Sequence, residues 1–312
     1  MSEKKRVAHR FGGVWTEIKL RALTEYLHFY QNALKNQGFE TWYIDAFAGT
    51  GDRHAELERG GIFEGAPIER VEDILDGSAR KALKIVPPFD HFWFAEQHQK
   101  RAAALEALRS EFPQSITVKR GDANTELTKL FSSAPWGQPT MSGRHRGVVF
   151  LDPYGMSVDW NTLQLLSGAK VDVWYLFPRK AVVQQLAHDI QGIDKAKRAK
   201  LDQIFGGSEW EDEFYRARPA QAGLFDPTPA DTKGRVASSG EIAAFARKKL
   251  GQLFCYVSDP LPLIVRGSSF FELYCLSNNP PAISLIKKGV DHVIRKYSPA
   301  SHHKSAFRAS VR

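Results

Sequence analysis

Residues 152–155 read Asp152-Pro153-Tyr154-Gly155 and follow the apolar run Gly147-Val148-Val149-Phe150-Leu151 directly. A carboxylate beside a proline carbonyl, which has no N–H of its own, places two acceptors together. Such a pair suits an exocyclic amine, whose lone pair stays delocalised into its ring until its N–H groups are drawn out of the conjugated geometry. Tyr154 adds an aromatic face for a planar ring, as enzymes that modify bases use. The expected chemistry is attack by an amine nitrogen, with Asp152, Pro153 and Tyr154 as the residues that position it. The same string also fits a strand followed by an Asp-Pro turn with the tyrosine in the core.

Three further carboxylates close β-prone runs: Asp45 after Thr41-Trp42-Tyr43-Ile44, Glu96 after His91-Phe92-Trp93-Phe94-Ala95, and Asp122 shortly after Ile116-Thr117-Val118. Ligands of an open parallel sheet bind outside the carboxyl ends of its strands, so these four acids would meet in one crevice. After Asp45 comes Ala46-Phe47-Ala48-Gly49-Thr50-Gly51, where the glycines let backbone pass close to a ligand. Asp45, Phe47, Gly49 and Gly51 are therefore expected beside the polar end of a cofactor. Glu96 is placed to accept ribose hydroxyls, and Asp122, with Ala123, to take an adenine amino group. Together they describe an adenosine site; singly each is also a loop acid or turn cap, and the glycines a tight turn. A nicotinamide cofactor fits less well, because Gly49-Thr50-Gly51-Asp52-Arg53-His54 lacks the third glycine of that fingerprint. No Gly-Lys-Ser/Thr follows the loop, which disfavours a phosphoryl enzyme.

Strands and helices alternate five times between Thr41 and Phe177, predicting an α/β fold with a parallel sheet covered on both faces. A helix starting behind Thr16 as N-cap precedes the first strand, and residues 52–66 insert into the glycine loop. Residues 181–216 read as broken helix and 217–240 as loop, a helical insertion over 185–240 near the acceptor cleft. The runs Leu253 to Val265 and Phe270 to Ser277, joined by Arg266-Gly267-Ser268-Ser269, predict a closing antiparallel hairpin in a Rossmann-like sheet of about seven strands. The expected domain spans 11–296, between a basic arm at 1–10 and a disordered tail at 297–312.

With 312 residues, 43% of them hydrophobic, the chain can bury a full core, and no apolar run approaches the roughly 18 residues of a membrane span. The N-terminus lacks the apolar stretch of a secretory signal, so no membrane association and a cytoplasmic location are expected. Cys255 and Cys275 lie in apolar runs and read as buried thiols, with no metal site. A net charge of +8 is compatible with a nucleic acid as partner. In that case Arg144, Arg146, Arg179 and Lys180 would contact phosphates and Trp136 or Trp160 would stack on bases.

The segments Phe11 to Thr16, Tyr43 to Gly51, Gly121 to Asn124, Val149 to Gly155, Trp174 to Pro178 and Phe270 to Tyr274 resemble the three-Cys-motif partner family, TcmP, which has the class I methyltransferase fold. The resemblance spans nearly everything from residue 11 to about 294. It implies S-adenosylmethionine as cofactor and a protein with a radical-enzyme-like cysteine motif as partner. Asp152-Pro153-Tyr154-Gly155 also resembles the Asp-Pro-Phe-Gly string of tRNA guanine-N2 methyltransferases. It is less similar to the Asp-Pro-Pro-Tyr string of adenine-N6 and cytosine-N4 enzymes, carrying its aromatic one place early. Gly13 to Lys19 is similar to the Trp-Ala-Gly-Gly-Lys element of adenine methyltransferases, which makes Lys19 a candidate for the cofactor carboxylate, or else a solvated lysine. Two readings follow: a methyltransferase acting on a nucleobase amine in nucleic acid, or a cofactor-binding subunit that acts only with the cysteine-motif protein.

Overall fold

A computed structural model describes residues 13–48, 77–138, 143–218, 232–265 and 267–299. Gly49, Gly51, the 52–66 insertion, the basic arm and all of the expected tail beyond residue 299 lie outside the described residues.

In chain order the elements are α1 (Gly13–Leu34), β1 (Glu40–Asp45), α2 (Ser78–Leu83), β2 (His91–Glu96), α3 (Gln99–Ala107), β3 (Ser115–Arg120), α4 (Ala123–Ser132), β4 (His145–Leu151), α5 (Trp160–Ser167) and β5 (Val171–Phe177). There follow α6 (Arg179–Gln185), α7 (Lys195–Phe205), α8 (Trp210–Phe214), β6 (Tyr215–Arg218), β7 (Thr232–Arg235), α9 (Ser239–Leu253), β8 (Tyr256–Val257), β9 (Leu261–Val265), β10 (Ser268–Ser277) and α10 (Ile283–Tyr297). The main sheet runs β3-β2-β1-β4-β5-β10-β8, with β9 also paired to β10. β1 to β5 are parallel, and β10 enters antiparallel to both β5 and β9. This is the expected Rossmann-like sheet.

Successive residues of the central strands face opposite layers, as the period of two demands. Ile44, Val149, Leu151, Val173 and Tyr175 pack with α4, α5, α7 and α9, whereas Tyr43, Val148, Phe150, Trp174 and Leu176 pack with α1, α2, α3 and α10. β4 and β5 are therefore buried on both faces, which is why their sequences run apolar without alternation.

Several local expectations differ from the structure. α1 begins at Gly13, so Thr16 lies inside the helix rather than capping it. The 217–240 stretch is not wholly loop, because β6 and β7 form a small antiparallel sheet whose described pairs run from Tyr215↔Arg235 to Arg218↔Thr232. The single strand expected over Leu253 to Val265 is split into β8 and β9 around Asp259-Pro260, since proline cannot donate to a ladder. Val265 pairs with Ser268, so the hairpin turn is two residues long, with Gly267 at φ +77°. α10 closes the domain at Tyr297, one residue into the expected tail. Cys275 is buried as expected, but Cys255 is exposed.

Gly206 ends α7 in the left-handed conformation, φ +71°, and a Cβ built there would lie 2.3 Å from Cδ1 of Trp160. Gly206→Ala is thus expected to cost about 1–3 kcal/mol from overpacking and backbone strain together. Urea unfolding of the purified variant checks it; an unchanged midpoint would show that Trp160 swings aside freely.

Candidate active site

Asp45, Glu96 and Asp152 stand at the carboxyl ends of β1, β2 and β4, three neighbouring strands of one sheet edge. Asp45 is fully buried. Its Oδ2 accepts from Ser78 Oγ at 2.5 Å and Tyr43 OH at 3.2 Å, and its Oδ1 from the Phe47 N–H at 3.2 Å. Burial away from water, reinforced by the negative charge of Asp152, pushes its carboxyl up to about 7 against the pull of these donors. Phe47 thus meets Asp45 through its backbone. Glu96 is buried and accepts from the His98 N–H at 2.6 Å, with Arg101 Nη1 3.8 Å from its other oxygen. Burial raises its pKa, with the His98 amide and Arg101 opposing.

Lys19, a buried lysine of α1, forms an ion pair with Asp152 Oδ2 across 133 residues of sequence. The sequence reading of Lys19 as a solvated residue is overturned, and its ammonium is committed to a protein carboxylate. Side-chain exposure of 6% for the lysine and 25% for the aspartate puts the pair at the inner wall of the edge, open on the Asp152 side. Trp15 lies in the same assembly, stacked on Phe271 at 5.0 Å, with Lys19 Nζ 5.1 Å from its ring centroid.

Asp122 is exposed and serves as N-cap of α4, its Oδ1 accepting from Thr125 N–H at 2.9 Å and Thr125 Oγ1 at 3.0 Å. Ala123 is the first residue of that helix and is buried. A cleft of about 440 Å³ opens beside them, lined by Asp122, Asn124, Tyr154, Lys180, Lys200 and Phe270 among others. Pro153 is buried behind it, and Gly155 at φ +58° turns the chain away after Tyr154. Asn124 fixes this loop: its amide donates to Ser157 O at 2.8 Å, and its carbonyl accepts from Asp159 N–H at 3.0 Å and Thr162 Oγ1 at 2.8 Å.

The aromatic and basic residues proposed for a nucleic acid are mostly elsewhere. Arg144 and Arg146 flank the first residue of β4, opposite Glu40, at the amino edge of the sheet. A seven-residue strand separates them from Asp152, on the order of 20 Å. Arg146 stacks on Phe39 there, 4.1 Å from its centroid. Trp136 is buried in the core, and Trp160 packs between Lys249 and Gly206. Arg179 donates to Glu272 at 2.9 Å and to Ser239 at 2.9 Å, so its guanidinium is already engaged. Of that set only Lys180 lines the cleft. Lys200, Gln203, Phe270 and Phe271 line it too and carried no signal in the sequence beyond the basic and aromatic runs that contain them.

No family model and no curated protein sequence matches the chain, so the expected three-Cys-motif partner family is not confirmed. Among solved structures the chain is similar to an S-adenosylmethionine-dependent methyltransferase from Clostridium acetobutylicum ATCC 824. That likeness has 11% identity and a TM-score of 0.32, and covers 83% of this chain and 92% of that one. No helix among the described residues is long and apolar enough to cross a membrane.

Proposed function

We infer that the chain is an S-adenosylmethionine-dependent methyltransferase whose acceptor is an exocyclic amine of a nucleobase in nucleic acid. The observation that carries this reading is the position of Asp152-Pro153-Tyr154: the carboxylate stands at the edge shared with Asp45 and Glu96, and Tyr154 lines the cleft into which Asp122 also faces.

The residues fit such a cofactor. Glu96 accepts from the His98 amide and faces Arg101, and its two oxygens keep acceptor capacity for ribose hydroxyls. Buried Asp45, with no cation paired to it among the described residues, suits the cofactor's ammonium end. Ala123 and Asp122 would face the adenine. When bound, the cofactor supplies an electrophilic methyl group on a sulfonium. The chain's part is then to hold the amine in line. Asp152 keeps Oδ2 on Lys19 and has Oδ1 without a partner among the described residues, ready to accept an N–H of the acceptor. The Pro153 carbonyl takes the second N–H, and Tyr154 lies against the ring. The Asp152 carboxylate would take the proton that the alkylated nitrogen sheds and pass it to water.

Replacing Glu96 by Gln, or Asp122 by Ser, which keeps the helix cap, is expected to weaken S-adenosylmethionine binding roughly tenfold to a hundredfold. Titration calorimetry measures this directly. Unchanged affinity in both folded variants would remove the cofactor-site assignment.

A further inference from the structure

We propose that Lys180 and Lys200 form an anion subsite in the cleft that holds a phosphate of a single nucleotide unit whose base lies against Tyr154 and Phe270. This rests on the methyl-transfer reading of the same cleft and names what enters it.

Neither lysine has an acidic partner among the described residues. Their basic neighbours do: Arg179 pairs with Glu272 at 2.9 Å, Lys197 with Asp194 at 3.5 Å, and Arg198 with Glu211. The two acids in the cleft wall form no ion pair with either lysine: Asp122 accepts through Oδ1 from the start of α4 and Asp159 from the Gln203 amide. Both ammonium groups therefore reach the cleft without an ion-pair partner among the described residues, in a wall that also holds the Asp122 and Asp159 carboxylates. The lysines lie among rings, with Lys180 Nζ 5.3 Å from the centroid of Phe270, and Tyr154 and Phe271 in the same wall. Cations that track phosphate beside aromatic faces that take bases are what single-stranded nucleic acid requires. A volume of about 440 Å³ is in the range of small-ligand pockets, so a base must leave its stack to enter. Lys200 and Gln203 come from α7, which gives the insertion after β5 a role as one wall of the acceptor site.

The test is fluorescence anisotropy of a 5′-fluorescein mixed-sequence single-stranded DNA, its RNA counterpart and the matching duplex, across a salt series, with adenosine and guanosine monophosphates as competitors. The single strands are expected to bind more tightly than the duplex. Lys180→Gln with Lys200→Gln should lower single-strand affinity at least about tenfold and flatten the salt slope by about 0.7, the value for one phosphate contact. Tyr154→Ala should lower affinity about tenfold with the slope unchanged. Lys195→Gln, on the same helix but outside the cleft, should change nothing. Competition by the monophosphates would identify a free nucleotide as the source of the unit, and its absence a strand; both outcomes support the subsite. No salt-sensitive binding by the wild type, or full affinity and slope in the folded double variant, would overturn it. Calorimetry with S-adenosylmethionine runs in parallel: lysine-dependent oligonucleotide binding without cofactor binding would keep the subsite and remove methyl transfer, and the converse would do the reverse.

Discussion

Asp152→Asn is expected to lower methyl transfer by at least about a hundredfold while S-adenosylmethionine affinity stays within about threefold. The amide keeps the shape of the carboxylate but presents one acceptor in place of two, and it takes no proton from the alkylated nitrogen. It also leaves Lys19 without its counter-charge. For a fully buried pair such a loss costs 3–5 kcal/mol; with the aspartate 25% exposed, about 1–3 kcal/mol is expected. Lys19→Met should cost a similar amount. The double variant Lys19→Met/Asp152→Asn separates the two roles, because it should regain much of the stability and none of the transfer. The assay is incorporation of labelled methyl groups into total RNA and genomic DNA, alongside thermal unfolding of each variant. Near wild-type turnover in Asp152→Asn would end the amine-positioning role.

The second large effect is thermodynamic. Asp45 holds its proton up to about 7 in the folded protein, against 3.8 for the unperturbed group. A carboxyl whose pKa is raised on folding contributes stability that is fully present below pH 3.8 and is lost as pH rises to about 7, above which the folded state carries the whole cost of a buried charge. Three pH units correspond to roughly 4 kcal/mol at most. Asp45→Asn removes the titration, and the Ser78 and Tyr43 hydroxyls can turn to accept from the new amide. The variant without ligand should therefore melt higher than wild type above pH 7, on the order of 2–4 °C for each kcal/mol recovered, and its advantage should vanish near pH 4. Parallel melting curves across that range would count against a buried proton at Asp45.

The parts of this site that sequence exposes are the ones governed by short-range rules. Asp45, Glu96 and Asp152 were legible as strand ends because each closes a short β-prone run, apolar throughout before Asp152. What depends on distant partners was not. Lys19 gives no local sign of its carboxylate, which follows 133 residues later. Arg144 and Arg146 flank a strand correctly identified, but they stand at its entry rather than its exit, where parallel strands keep function and scaffold a full strand length apart. Trp136 and Trp160 resemble stacking residues by type alone, and packing claims both. β6 and β7 escaped notice because Tyr215-Arg216-Ala217-Arg218 and Thr232-Lys233-Gly234-Arg235 are short and lack apolar alternation. Asn124 sits in a string that reads as an adenosine loop, and its tie to Ser157 and Thr162 appears only in three dimensions.

The docking of α1 has a consequence for how the protein is made. α1 carries Lys19 to the site, yet it rests on α10 from the far end of the sequence: Glu25 accepts from Lys296 at 2.7 Å and Tyr297 at 2.7 Å, and Gly289 lies against the Phe29 ring. α1 is thus partly seated by a helix made much later. At the usual pace of synthesis α1 waits on the order of ten to fifty seconds with Leu23, Tyr26 and Leu27 uncovered. During that interval the part of its apolar stripe that α10 covers is open to chaperones.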